Sequence, residues 1–292
     1  MAGGGPATAW QSWTETGATD GPQFLPEARA FHAAVALDER RVLLAGGCSQ
    51  VSSNLDCDVG SALRTSSILD IKSGEVIPGP RLEQDRIGGS AFIDIDGTIV
   101  LIGGIDGAGL LAANGERIDL TSGEVSPISG AAGTVAAQLA TGSIVVGFAD
   151  EEPTPSLGVV PALGAEVSLL SGLGASYASS LVEAEDGAIL AFGRETARYR
   201  PFDGGLAEVP VELGGQLEGR ASVLLGDGSI LVLGGEDVDG AAQEGVWRFR
   251  PPLVGPHSNE DVTVRFDDLA VASRWSPRDP RQVTRAAGAV PH

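Results

Sequence analysis

One short pattern recurs five times along this chain: an apolar run, a tight turn, a second apolar run and, in most copies, a Gly-Gly pair. The turns lie at residues 38–40, 96–97, 141–142, 186–187 and 227–228. From Asp96 to Asp186 the spacing is two periods of 45 residues, and from Asp186 to Asp227 it is one period of 41. A repeat of this length constrains the fold strongly, because each copy must bury its apolar face against the next copy.

Each copy is interpreted as four β-strands. The second strand, as in Ile99–Ile102, is continuously apolar, which is typical of a strand buried on both faces. A second hairpin follows, and residues 69–76 closely match residues 118–125. Two hairpins per period indicate an all-β fold, a β-propeller of four-stranded antiparallel blades. We expect five blades, with six as the alternative.

The repeats predict three regions. Residues 29–253 form the propeller. Pro251, Pro252 and Pro256 disfavour an immediate fourth strand in the last repeat, because proline cannot donate to a β-ladder. We therefore expect the N-terminal segment 1–28 to supply the outer strand that closes the last blade, a disordered leader being the alternative. Residues 254–292 are interpreted as a Pro-rich tail or the start of a further module.

The charge balance limits the partners. The chain has 39 acidic and 19 basic residues, a formal net charge of −20, so its surface repels phosphate backbones and nucleic acid is not expected as a partner. No run approaches the ~18–20 apolar residues of a membrane span, so none is expected. The first residues also lack the pattern of a secretory leader.

The chain has two cysteines, Cys48 and Cys57. We expect a disulfide between them, with two reduced thiols as the alternative. Closing a loop of ~10 residues would stabilise the fold by about 2.5–3 kcal/mol on the chain-entropy model. A disulfide favours an extracytoplasmic or cell-surface location, with a cytoplasmic one as the alternative.

Residues 29–253 resemble the kelch repeats of β-propellers. The resemblance depends on an apolar run before a Gly pair, as in residues 42–47, 100–104 and 231–235. It implies a propeller, commonly of six or seven blades. The resemblance also extends to galactose-oxidase-type copper enzymes, which need Tyr, His and Cys ligands. The only tyrosines are Tyr177 and Tyr199, and two of the three histidines lie in the tail, so we expect no such site. The Gly-Gly pairs are interpreted as structural turns.

In such a fold the loops entering the first strand and leaving the second open on one face, around the central channel. Arg29, Arg86 and Arg220 precede first strands, and their guanidiniums could bind ligand carboxylates at this mouth. The alternative is that they pair with neighbouring acidic loops and hold the blades in register. The loops leaving the second strands contribute further ligand-binding candidates, which are Asp106, Glu236, Asp237 and Asp239.

Two loop segments resemble fragments of calcium sites. The carboxylates of Asp56 and Asp58, and of Asp237 and Asp239, have the spacing of calcium ligands but lack the later bidentate Glu. They are candidate calcium ligands, with solvated loop acids as the alternative. No other cofactor is expected.

These observations predict a non-enzymatic binding or scaffold module that recognises a protein or glycan ligand at the channel mouth, as part of a larger surface protein. The alternative is a carbohydrate-active hydrolase or lyase that uses channel carboxylates. A third class is a calcium-stabilised structural repeat. No catalytic residue is assigned.

Overall fold

A computed structural model of the chain describes residues 7–10, 13–14, 17–18, 23–51, 57–133, 135–147, 157–170, 180–185, 187–192, 196–200, 205–208, 221–235, 241, 245–249 and 266–268. The regular structure in these residues is β-strand apart from one 3-10 turn, Val59–Ser61. None of the described residues belongs to a helix long and apolar enough to cross a membrane.

Five four-stranded antiparallel sheets follow one another along the described chain, and we call them blades 1 to 5. Blade 1 comprises β5 (Ala33–Ala36), β6 (Arg41–Ala45), β7 (Ser66–Asp70) and β8 (Val76–Pro78). Blade 2 comprises β9 (Ser90–Ile93), β10 (Ile99–Ile102), β11 (Asn114–Ile118) and β12 (Val125–Ser129). Blade 3 comprises β13 (Val135–Gln138), β14 (Ile144–Gly147), β15 (Leu157–Val160) and β16 (Ser168–Leu170). Blade 4 comprises β17 (Ser180–Glu183), β18 (Ile189–Phe192), β19 (Thr196–Arg200) and β20 (Gly205–Glu208). Blade 5 comprises β21 (Ala221–Leu224), β22 (Ile230–Leu233), β23 (Val246–Phe249) and β24 (Phe266–Asp268).

The two ends of the chain correct the expected closure. The outer strand of blade 5 is β24, which pairs with β23 and lies in the segment interpreted as a tail. The N-terminal strand β1 (Ala7–Trp10) pairs instead with β4 (Gln23–Arg29), and β2 (Trp13–Thr14) pairs with β3 (Gly17–Ala18). The described outer strand begins ten residues after Pro256, beyond the prolines that cannot donate to a β-ladder.

The core of the molecule lies between consecutive blades. In β10, Ile99 and Leu101 pack against blade 1, whereas Val100 and Ile102 pack against blade 3. Successive side chains of a strand point to opposite faces, so a strand between two blades must be apolar throughout. This is why the second strand of each repeat is a continuous apolar run.

The same arrangement continues along the chain. Val145 of β14 packs with Ile189 of β18 between blades 3 and 4, and Leu190 and Phe192 of β18 pack with Val232 of β22 between blades 4 and 5. The first strands of the blades contact one another in chain order, from β5 through β9, β13 and β17 to β21. Each blade therefore packs against the next through its first and second strands.

Candidate functional site

The mouth face is the face at which the first strand of each blade begins and the second strand ends. In blades 1 and 2 the sheets continue beyond the regular strands on this face. In blade 1, single β-bridges link Cys48 to Ala30 and to Ala62. In blade 2, they link Ile105 to Ile87 and to Leu111. The loops of this part of the mouth face are therefore ordered by backbone pairing.

The Gly-Gly pairs allow these loops to approach one another closely. Gly46 and Gly47 have φ values of 66° and 92°, in the region that bulky residues avoid. A Cβ atom on Gly46 would lie 2.5 Å from the carbonyl oxygen of Arg86, at the start of the next blade. The glycines serve the packing of the backbone, as the sequence predicted.

Arg29 and Arg86 are buried on the mouth face, each 1% exposed. The Nη1 atom of Arg29 donates to the carbonyl oxygen of Gly46 at 2.9 Å, and Nη1 of Arg86 donates to that of Gly103 at 2.7 Å. These partners are the first glycines of the respective Gly-Gly pairs. The expectation of ligand-binding guanidiniums is corrected for both residues, because each one binds the protein chain itself.

The Arg86 guanidinium belongs to a buried network. Its Nη2 atom donates to Oε1 of Glu116 at 2.8 Å, and Glu116 is equally buried. The Glu116 carboxylate also accepts the backbone N–H groups of Glu83 and Gln84. The carbonyl oxygen of Arg86 accepts the N–H of Gly47 from blade 1 at 2.7 Å. The network therefore joins three strands of blade 2 and links that blade to blade 1.

Arg29 has a related but weaker set of partners. Its Nη2 atom lies 3.3 Å from Oε2 of Glu27 and 3.4 Å from the hydroxyl oxygen of Ser67. Burial lowers the pKa of Arg29, and the charge of Glu27 offsets part of that effect. Burial, followed by the positive charge of Arg29, also lowers the pKa of the neighbouring His32. This corner of the protein therefore disfavours a second positive charge.

Arg220 does not stand at the equivalent position. Arg29 and Arg86 each precede the first strand of their blade by four residues, whereas Arg220 directly precedes β21. Although all three arginines precede first strands, they therefore do not occupy equivalent positions of the repeat. The side chain of Arg220 lies outside the described residues, as do those of four candidate acids: Asp56, Glu236, Asp237 and Asp239.

The described acids of the mouth face shape their own loops. Oδ1 of Asp106 accepts the N–H groups of Ala108 and Leu110 at 2.9 and 3.0 Å. Oδ1 of Asp58 accepts the N–H of Gly60 at 3.0 Å, which caps the 3-10 turn. Across the described residues, no group of three or more His, Cys, Asp or Glu side chains is placed to hold a metal ion.

The predicted cysteine pair is present at this face. Cys48 and Cys57 are joined by a disulfide, and their Cα atoms are 5.9 Å apart. Cys48 is fully buried and packs with Ala30 and Ile87 in a small apolar cluster. The disulfide therefore anchors the long loop of blade 1 to the surface of the first two blades.

Three exposed apolar side chains at the mouth face were missed by sequence reasoning. Phe31 is 53% exposed, and its φ of 52° is rare for an aromatic residue. Val59 and Leu110 are exposed on the loops of blades 1 and 2. Those loops adjoin, since a Cβ atom on Gly109 would lie 3.8 Å from Cγ1 of Val59. The only sequence signal for Phe31 was an aromatic residue two positions after Arg29, in the segment that enters the first strand of blade 1.

Comparison with solved structures decides the fold. The structure of YjhT matches with a TM-score of 0.58 at 11% identity, covering 84% of this chain and 89% of that chain. A fungal alcohol oxidase of the AA5 family, in complex with copper, matches with a TM-score of 0.60 at 18% identity, covering 85% of this chain and 60% of that chain. This chain is a β-propeller. A scan of family models found no match, and neither did a search of curated proteins.

The copper of the alcohol oxidase gives a test for this propeller. In this propeller, both cysteines form the disulfide and neither is available as a metal ligand. Nδ1 of His32 is buried without a hydrogen-bond partner. Tyr199 lies in β19, and Tyr177 falls outside the described residues. The donors in the described part of the propeller do not fit a copper site.

Proposed function

We propose that this propeller is of the kelch type and acts as a non-enzymatic binding module or scaffold, which takes a protein or glycan ligand at the mouth face. The observation that carries this proposal is Phe31, an aromatic side chain that is more than half exposed on a backbone conformation that favours glycine.

The backbone of Phe31 makes a structural hydrogen bond in which its ring takes no part. Its carbonyl oxygen accepts the N–H of Gly88 from blade 2 at 2.8 Å, and this contact accounts for the turn. Glycine could make the same contact without the ~1–2 kcal/mol that a left-handed conformation costs an L-residue. An exposed aromatic ring kept in such a conformation supports a role in recognition, because backbone strain concentrates at functional sites.

The surroundings of Phe31 support the same role. Val59 and Leu110 offer further apolar surface on the same face, around an aromatic side chain of the kind that dominates the energetics of protein interfaces. The disulfide and the Asp58 and Asp106 caps hold the two loops in shape. A preorganised surface loses less conformational entropy on binding than a flexible one.

The proposal extends to location and cofactors. The Cys48–Cys57 disulfide supports an extracytoplasmic or cell-surface setting, because such bonds persist in oxidising compartments. A surface module of this kind would form part of a larger surface protein. The mouth face binds its ligand without a cofactor, and calcium at Asp58 is the alternative that the test below includes.

The test compares Phe31→Ala with Phe24→Ala, since Phe24 is also exposed but lies in β4. Each protein is melted with oligosaccharides, with apolar peptides that carry no Lys or Arg, and with calcium against a chelator control. We expect one ligand class to raise the melting temperature of the wild type and of Phe24→Ala in a saturable way, but not that of Phe31→Ala. An equal shift in all three proteins would place recognition elsewhere and overturn the proposal.

A further inference from the structure

A second exposed apolar surface lies on the face opposite the mouth, between blades 2 and 3. Ile95, in the first turn of blade 2, is 67% exposed, and Leu163, between β15 and β16, is 52% exposed. A Cβ atom on Gly142 would lie 2.6 Å from Cγ2 of Ile95 and 3.4 Å from Cβ of Ala162. We call Ile95, Ala162 and Leu163 the rear patch.

Leu163 has a backbone conformation that does not suit its side chain. The N–H of Gly164 donates to the carbonyl oxygen of Pro161 at 2.8 Å, so Leu163 is the third residue of a β-turn. Its φ is 60°, and turns with positive φ at this position usually have Gly or Asn there. Phe31 and Leu163 are the only residues other than glycine with positive φ in the described chain, and both expose large apolar side chains.

The buried carboxylate of Asp94 accepts the backbone N–H groups of two residues of the rear patch. Oδ1 of Asp94 accepts the N–H of Ile95 at 2.7 Å, and Oδ2 accepts the N–H of Leu163 at 2.9 Å. Arg117 neutralises Asp94 through a contact of 2.6 Å and also donates to the carbonyl oxygen of Gly164 at 3.0 Å. The patch is therefore held by a polar network that spans two blades.

The charges around the rear patch indicate its partner. Asp96 is exposed beside Ile95, Glu166 is exposed beyond Leu163, and Glu183 accepts the N–H of Ala140 close to Gly142. The positive charge of Arg117 is neutralised by Asp94. A second copy of the chain, which has a net charge of −20, would bring like charge to this surface.

We propose that the rear patch is a docking site for a polypeptide segment whose apolar side chains are flanked by Lys or Arg. The site lies on the face opposite Phe31, so it goes beyond the mouth-face ligand and does not depend on it. With two such faces, one propeller can hold two partners at once, as a scaffold does.

The experiment measures binding of a fluorescein-labelled peptide of alternating Leu and Lys residues by anisotropy. Leu163→Gly removes the side chain and relieves the turn, so the variant should fold at least as well as the wild type. We expect Leu163→Gly and Ile95→Ser each to weaken binding by about tenfold, the scale of a lost apolar contact. Ile77→Ser, which alters a 47% exposed residue in β8, and Phe31→Ala should bind like the wild type.

Three results would overturn the proposal. The first is equal affinity for the wild type, Leu163→Gly and Ile95→Ser, since that would show non-specific attraction to an acidic surface. The second is equal affinity for a peptide with acetylated lysines, because the basic flanks would then play no part. The third is a dimer in sedimentation experiments that Leu163→Gly abolishes, since a second copy would then occupy the patch. Loss of binding in Phe31→Ala alone would assign the peptide to the mouth face.

Discussion

Blades 2 and 3 fill the same two buried positions at the mouth face with different kinds of residue. At the mouth face of blade 2, Arg86 and Glu116 form a buried ion pair. The strand registers place Ala131 and Gly158 at the equivalent positions of blade 3. Ala131 is itself buried and belongs to the apolar core between the two blades. One blade has the complete ionic network, and the next blade has none of it.

This difference shows which part of the repeat builds a blade. Ile99 of β10 and Ile144 of β14 are equivalent and equally buried, so the apolar second strand is common to both blades. The ion pair is an addition that must be present with both partners or absent altogether, because a single buried charge is strongly destabilising. In blade 2 the pair also holds the residues that precede β9 against the end of β10.

The largest expected effect comes from breaking the network of blade 2. Arg86→Met leaves Glu116 buried without its cation, which should lower the free energy of unfolding by about 3–5 kcal/mol in urea denaturation. Arg86→Met combined with Glu116→Leu should recover most of this loss, because it leaves no buried charge without a partner. If the double variant were as unstable as the single one, the two blades would not be alternative solutions.

The apolar strands test the common part of the comparison. Ile99→Ala and Ile144→Ala should each lower the free energy of unfolding by about 2–5 kcal/mol, because both leave a cavity between blades. Equilibrium unfolding in urea should give similar costs for the matched positions. A much smaller cost in blade 3 would mean that its core is packed more loosely than that of blade 2.

The disulfide distinguishes the mouth loop of blade 1 from that of blade 2. Replacing Cys48 and Cys57 together by Ala should lower the free energy of unfolding by about 2.5–3 kcal/mol, since the loop gains freedom in the unfolded chain. The melting temperature of the wild type should fall on reduction, whereas that of the double variant should not change. Equal sensitivity of both proteins to the reductant would contradict a stabilising disulfide.

The smallest expected effect concerns the exposed ion pair of Arg40 and Asp70, which contrasts with the buried pair of blade 2. Hydrogen bonds from the backbone of Ser73 and Lys72 and from Arg40 lower the pKa of Asp70 to about 2. A carboxyl with a lowered pKa stabilises the fold above its unfolded pKa of ~3.9, and this contribution is lost as the pH falls towards about 2. Because the pair is open to solvent, Asp70→Asn should cost little at pH 7. Its difference from the wild type should vanish below pH ~2.

NMR titration of the Asp70 carboxyl checks this expectation directly. A midpoint near ~3.9, the ordinary value for Asp, would contradict it. The matched control is Asp38→Asn, since Asp38 pairs with Arg41 in the neighbouring turn and its pKa is also lowered by the backbone N–H of Arg40.

Much of the architecture could be predicted from periodicity. The apolar run of residues 99–102 and the Asp-Gly turns recur at a fixed interval, and local hairpins of this kind depend mainly on nearby residues. The prediction failed at the ends of the chain, where β24 rather than the N-terminal segment supplies the outer strand of blade 5. Which distant segment pairs with an edge strand depends on contacts that no local pattern encodes.

At the candidate sites, too, the sequence predicted some features and missed others. Sequence reasoning found Arg29 and Arg86 but not their burial, because the same side chain can face a channel or its own backbone. It found the cysteine pair, since two nearby thiols in an otherwise cysteine-free chain limit the choices. It missed Phe31 and Leu163, because a positive φ in a residue other than glycine is imposed by neighbouring blades.

The sequence by itself determined the repeating strands, the turns and the glycines, because these follow from side-chain alternation and from local backbone freedom. Only the tertiary structure decided which polar groups meet. Arg86 donates a hydrogen bond to Glu116, thirty residues away in the sequence. Asp94 of blade 2 accepts one from the backbone of Leu163 in blade 3. The exposed apolar side chains that carry both proposed binding surfaces were likewise set by packing between blades, since that packing determines which side chains remain in solvent.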